Sequence, residues 1–357
     1  MYFCTYKEKL SRNCIFLNYC CILERNSSIE IYRIIATFAV LVYHFNGWLV
    51  GGVPKYFDID RISSFRITQA LIESSSCICV NMFIVISGYF GLRLKWQSVL
   101  KICFLLLSVH IPFYMFDCLF FDATFVMKEF VRKFLIVSNG GYFIQCYLML
   151  MFLSPIINSF VEKADRRKGL FFTLMFVGVE FWFDCITHTD YFGFQHGYSV
   201  MHFIVVYMIA RYVFIYREEL LRLKRCYWVA AYIASSLIIL TMYVCGVNFI
   251  WQYSNPMIII SAVCSFIPFL YKSFSNKWIN WIASSTLAVY IIHVTVPVYD
   301  ILVKYDSYIL EYYNYPIYLL LALSGVIVLF VISIIYDKFR LLFTNPIYNS
   351  IIKFIEK

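Results

Sequence analysis

Apolar runs of about twenty residues, each closed by a short polar stretch, follow one another from residue 31 almost to the end of the chain. They fall at 31–50, 70–92, 98–118, 142–160, 170–187, 198–216, 227–246, 254–271, 281–303 and 316–337. A helix rises about 1.5 Å per residue, so runs of this length match the roughly 30 Å apolar core of a bilayer. The pattern predicts an all-α integral membrane protein, with about ten transmembrane helices in one bundle. No fixed-period repeat, pair of matching halves, Gly/Ser linker or charge block divides it. The expected organisation is one transmembrane domain over 29–340, preceded by an extension over 1–28 and followed by a short cytoplasmic tail over 341–357. Within the extension, "CIFLNYCCIL" is too short to span and lacks a small-residue cleavage site.

Composition agrees with the pattern, since 62% of the 357 residues are hydrophobic and only 14% are charged. Charge adds an orientation. Alternate loops collect twenty-two lysines and arginines on one side, among them Arg33, Arg93, Lys95 and Lys101, against seven on the other. Basic loops stay inside, so both termini are expected in the cytoplasm. The net charge of +9 is thereby explained by topology, and no nucleic-acid partner is called for. Most of the thirteen cysteines sit singly inside apolar runs, and the pairs Cys20/Cys21 and Cys77/Cys79 have no His or Cys partners at zinc spacing. Neither a disulfide framework nor a metal site is expected.

Candidate chemistry lies in the few polar groups inside the runs. In "IYRIIATFAVLVYHF" Arg33 and His44 stand eleven positions apart, which on a helix puts them on one face, about 16 Å apart along the axis. Counting from the inner boundary brings His44, His110 and His293 to nearly one depth near mid-membrane, where ionisable groups usually face a cavity or one another. Histidine can take a proton from a hydroxyl near neutral pH. Arg33 is open to two readings, a boundary anchor or a holder of an anionic cofactor at the mouth of the groove. Ser87 and Gly88 sit on the inner side of the histidine level, Gly88 as a close-packing residue and Ser87 as a candidate nucleophile without an evident carboxylate orienter. Tyr290, one turn before His293, either orients that ring or fills the bundle. Glu180, Asp184 and Arg211 are read as an internal ion pair between the fifth and sixth runs, and the loop 187–198 as either an aromatic belt or a sugar-stacking surface.

These residues carry a resemblance. "EIYRIIATFAVLVYH" resembles the first-helix Arg–ten residues–His motif of the membrane-bound acyltransferase 3 family, the integral-membrane O-acyltransferases. "VNMFIVISGYF" is similar to the family's Phe-Phe-x-x-Ser-Gly-Tyr signature at Phe83, Ser87, Gly88 and Tyr89. "YFIQCYLMLMFLSPIIN" resembles its Trp-Phe-x-x-x-Tyr-Leu…Ser-Pro segment, and "LAVYIIH" its late Tyr-x-x-His segment. Three positions depart: Glu30 stands where Asp is usual, Ile84 replaces the second Phe, and Tyr142 replaces the Trp.

The resemblance implies a multi-pass protein of the inner membrane that moves an acyl group from cytoplasmic acyl-CoA, with acetyl-CoA the expected donor, to a hydroxyl of a cell-surface or lipid-linked glycan. No cofactor is bound permanently. On this reading His44 is the base, His293 binds the thioester oxygen or the acceptor, and Arg33, with Arg93, Lys95 or Lys101, holds the CoA phosphates. A rival from another class is a glycan-lipid flippase or secondary transporter that uses the intramembrane histidines as a proton relay, for which internal symmetry is the usual sign.

Overall fold

The computed structural model describes residues 25–49, 64–121, 123–134, 141–189 and 192–355. Most of the expected N-terminal extension, with Cys20 and Cys21, lies outside the described residues, as do Lys55 and Arg61 of the first outer loop.

Helix α1 (Ser27–His44) starts at Asn26, whose side-chain oxygen accepts from the Ser28 amide at 3.1 Å. At His44 it passes into a π-helical turn, Phe45–Leu49, a widened form often met at functional sites. Helices α2 (Ser64–Ser76) and α3 (Cys79–Phe90) form one apolar unit interrupted at 77–78. α4 (Trp96–Phe120) and the short α5 (Met127–Phe134) follow, then α6 (Gly141–Lys163). α7 (Arg166–Glu180) is capped by Asp165, which accepts from the Arg167 and Lys168 amides, and α8 (Val200–Ile215) by Ser199. α9 (Arg225–Val244) precedes α10 (Pro256–Phe266), where Asn255 caps and Pro256 fits the first turn. α11 (Lys277–Ala283), α12 (Thr286–Ile292) and α13 (Val296–Tyr312) lead to α14 (Tyr315–Ile355), a single helix of 41 residues.

All ten expected runs are helical, but they do not all cross alike. Among the described residues, seven make helices long and apolar enough to span a membrane, the α2–α3 unit counted as one. The runs at 198–216 and 254–271 give shorter apolar helices, Val200–Ile215 and Pro256–Leu270. The run 281–303, expected as one span, is broken by an 84° bend between α12 and α13. Pro297 fits the break: it has no N–H to offer the carbonyl of His293 and sits in the first turn of α13, after Thr295 has turned to extended geometry. The last run does not stop near residue 337 but continues helically to Ile355.

The core is built on α3, which is buried on nearly all sides and packs most extensively on α8, with further contacts to α1 and α10. α4, α9 and α14 keep most of their surface outward, and that surface is apolar, with Ile156 of α6 and Leu320 of α14 about 70% exposed. Lipid is the solvent such faces match. Gly88 is what lets α3 and α8 close. A Cβ there would stand 2.6 Å from both the Tyr207 carbonyl oxygen and the Ala210 Cβ. Gly88→Ala is therefore expected to destabilise the bundle by about 1–3 kcal/mol and to lower its melting temperature in detergent. An unchanged melting temperature would refute this close-packing role.

Candidate active site

The two histidines at the ends of α1 and α12 meet. His44 Nδ1 lies 2.7 Å from His293 Nε2, with ring centroids 4.9 Å apart. They are 249 residues apart in sequence, and each is held at a helix discontinuity: His44 where α1 widens into the π turn, His293 where α12 breaks before Pro297. His293 is 3% exposed, and its Nδ1 faces the Val289 carbonyl oxygen at 3.3 Å. A carbonyl only accepts, so that contact places the proton of His293 on Nδ1. Nε2 then accepts from His44 Nδ1–H, and His44 Nε2 carries the lone pair a general base needs. Both ring nitrogens of His293 are engaged in this arrangement. The pair lines a cavity of about 310 Å3 whose other walls include Leu41, Phe45 and Leu302. His110, expected at the same level, is half-buried on α4 and takes no part in the pair.

Arg33 and His44 both turn toward α12. Arg33 is 8% exposed and lines a second cavity, about 700 Å3 with its open mouth included, with Ser87, Tyr147, Thr286 and Tyr290. Its Nη1 bonds Glu30 Oε2 at 2.6 Å, while Arg25 Nε stands 3.6 Å from Glu30 Oε1. Two guanidinium groups on one carboxylate leave a net positive charge at the cavity mouth. Tyr290 is the link between cavities: it lines the Arg33 cavity, and its ring centroid is 5.6 Å from that of His293. Ser87 does not pair with a histidine. Its hydroxyl bonds the Phe83 carbonyl oxygen at 2.8 Å and the Tyr147 hydroxyl at 3.3 Å, which leaves it without a base to activate it.

A third cavity, of about 1040 Å3, adjoins the Arg33 cavity through Arg25, Ile102, Ser284 and Leu287. Lys101 and Arg340 line it opposite a single carboxylate, Asp337, which Arg340 Nη2 holds at 2.6 Å. Arg340 was not singled out in the sequence, because a basic residue near the inner boundary is what orientation alone requires. Arg93 and Lys95 lie exposed in the turn after α3 and line neither of these two cavities.

The acidic groups pair otherwise than expected. Glu180 does not meet Arg211. Its Oε1 lies 2.8 Å from Nδ1 of His202, a fully buried residue that the sequence reading passed over, and His202 Nε2 lies 2.8 Å from Asn81 Oδ1. Asp184 instead accepts from the Ser254 hydroxyl and the His196 amide. Arg211 sits nine positions beyond His202 on α8, about 13 Å along the axis, which is why Glu180 is out of its reach. It lies against Gly91, where a Cβ would come within 2.9 Å of its guanidinium, and its Nη2 is 3.8 Å from Glu162. From the loop 187–198, Tyr198 packs its ring on Tyr142 and Tyr253, so part of that aromatic surface is spent on internal contacts. Among the described residues no group of three or more His, Cys, Asp or Glu is placed to hold a metal ion.

Inside an apolar helical bundle, a cavity lined by Arg25 and Arg33 and a buried histidine pair stand on either side of the Tyr290 ring. The family model described as an acyltransferase domain, that of the acyltransferase 3 family, matches residues 26–338, and the chain belongs to this family. It is a multi-pass membrane acyltransferase. Comparison with curated proteins and with solved structures gave no match.

Proposed function

We propose that this chain is an O-acyltransferase of the inner membrane that takes an acyl group from cytoplasmic acyl-CoA, with acetyl-CoA as donor, and passes it to a hydroxyl of a cell-surface or lipid-linked glycan. The observation that carries the reading is the 2.7 Å contact of His44 with His293, one aromatic ring, Tyr290, away from the cavity lined by Arg25 and Arg33. The nucleotide end of CoA would lie in the wide basic cavity against Lys101 and Arg340. The pantetheine arm would enter the narrower one, where Arg33 meets phosphate and Ser87 and Tyr147 offer hydroxyls to its amides. Arg93 and Lys95 remain outside this path and serve orientation.

The chemical step needs one base. His44 Nε2 takes the proton of the acceptor hydroxyl as its oxygen attacks the thioester carbonyl, and the C–S bond breaks as the tetrahedral intermediate collapses. The CoA thiolate leaves with the proton that His44 gives back. His293 fixes the ring and tautomer of His44 throughout, as the buried partner of a catalytic histidine does elsewhere.

The experiment is analysis of the host's surface glycan for ester-linked acyl groups with and without the gene. Alkali-labile acetyl present only with the gene is the expected result, and an unchanged glycan would overturn the proposal. The same reading puts both termini in the cytoplasm. A C-terminal alkaline phosphatase fusion is therefore expected to be inactive, and an active fusion would reverse the assigned orientation.

A further inference from the structure

A fourth cavity lies between the end of α1, α2 and the start of α14, about 530 Å3 with its open mouth included. It adjoins the histidine cavity, because Phe45 and Val326 line both. Its character differs from that of the basic cavities: none of its lining side chains is charged. The rings of Phe65, Tyr315 and Tyr318 cluster on its wall, with centroids 5.0 Å apart for Phe65–Tyr315 and 6.0 Å for Phe65–Tyr318.

Two polar groups on that wall have nothing to bond. Gln69 is 3% exposed, and its Oε1 accepts from Arg66 Nη1 at 3.1 Å, which fixes the amide so that Nε2 is the end left over. Nε2 has no hydrogen-bond partner, and neither has the buried Tyr315 hydroxyl. A buried polar group left unpaired is costly, so two of them lining one cavity point to a ligand that satisfies both. Nearby, Asn46 Nδ2 is already used, 2.7 Å from Glu73 Oε2, and that carboxylate behind it disfavours an anion. An amide donor and a phenol beside clustered aromatic rings, with the nearest charges, Glu73 and Arg66, of opposite sign and neither on the wall, match a neutral sugar: its hydroxyls bond the polar groups and its C–H face packs on the rings.

We propose that this cavity holds a neutral pyranose ring of the acceptor, gripped by Gln69 and Tyr315, and presents a hydroxyl to His44 past Phe45. The inference rests on the reading of His44 as the transfer base. It commits the acceptor to a sugar that is uncharged at the ring adjoining the acylated position.

The test uses the full chain in lipid nanodiscs, with the methyl glycosides of glucose, galactose, mannose and N-acetylglucosamine, and methyl glucuronide as the charged control, followed by saturation-transfer NMR. At least one neutral glycoside is expected to bind at millimolar concentration and better than the glucuronide. Gln69→Leu and Tyr315→Phe, which keep the shape of the wall, are each expected to weaken it about fivefold. Binding of no neutral glycoside, or equal binding by both wall variants, would overturn the site. So would a lipid chain as occupant, detected as quenching by a bromine-labelled phospholipid that Gln69→Leu leaves unchanged or strengthens. Glycoside binding that depends on Gln69 in a protein that consumes no acyl-CoA would leave the site standing and sink the proposed reaction instead.

Discussion

His44→Ala is expected to abolish acyl transfer, by about a hundredfold to ten-thousandfold, while the protein still inserts and purifies as a monodisperse species. The ring it removes carries the lone pair that activates the acceptor, and α1 keeps its cap, its Glu30–Arg33 pair and its packing on α3. His293→Ala is expected to cost less, because it leaves the base in place but takes away the partner 2.7 Å behind it. The double variant is the informative one. Two residues that act as a unit lose little more together than the more damaging loss alone, so the double variant should match His44→Ala. Fully additive losses would separate the histidines and reduce His293 to a packing residue.

The second large effect is expected at Arg33, where anchor and donor-binding roles part. Arg33→Lys keeps the charge but loses the planar fork that can hold Glu30 and a phosphate together. The expected result is a rise of about tenfold in KM for acyl-CoA with kcat little changed. Arg33→Ala goes further, since Glu30 is left with Arg25 alone, at 3.6 Å, and stability should fall by about 1–3 kcal/mol along with activity. Steady-state kinetics in proteoliposomes separate the roles, and an unchanged KM in Arg33→Lys would make Arg33 a boundary anchor.

The sequence reached some of this and missed the rest for physical reasons. The eleven-residue spacing of Arg33 and His44 is a property of one helix, so their common orientation toward α12 was legible. Equal depth permitted His44 and His293 to meet, but the contact itself depends on α1 and α12 being neighbours, which no local pattern states. Pro297 was visible, yet an apolar run reads smoothly through it; the break, and with it the position of His293, follows from the missing N–H rather than from hydropathy. Charge alone matches Glu180 with Arg211, whereas packing of α7 on α8 gives it His202. Asn81 and His202, polar groups inside otherwise apolar runs, were the available signal for that network. Gln69 lay just outside the run counted from residue 70, and only the three-dimensional cavity shows that its amide lacks a partner.

The most direct measurement supplies acetyl-CoA labelled in its acetyl group to one face of proteoliposomes that hold the purified chain, with the host's glycan lipid in the bilayer. The account predicts that label leaves CoA and is recovered as an alkali-labile ester on the glycan with the unaltered chain, and that it stays on CoA with His44→Ala. Label that remains on CoA with both proteins, or is transferred equally by both, would contradict it.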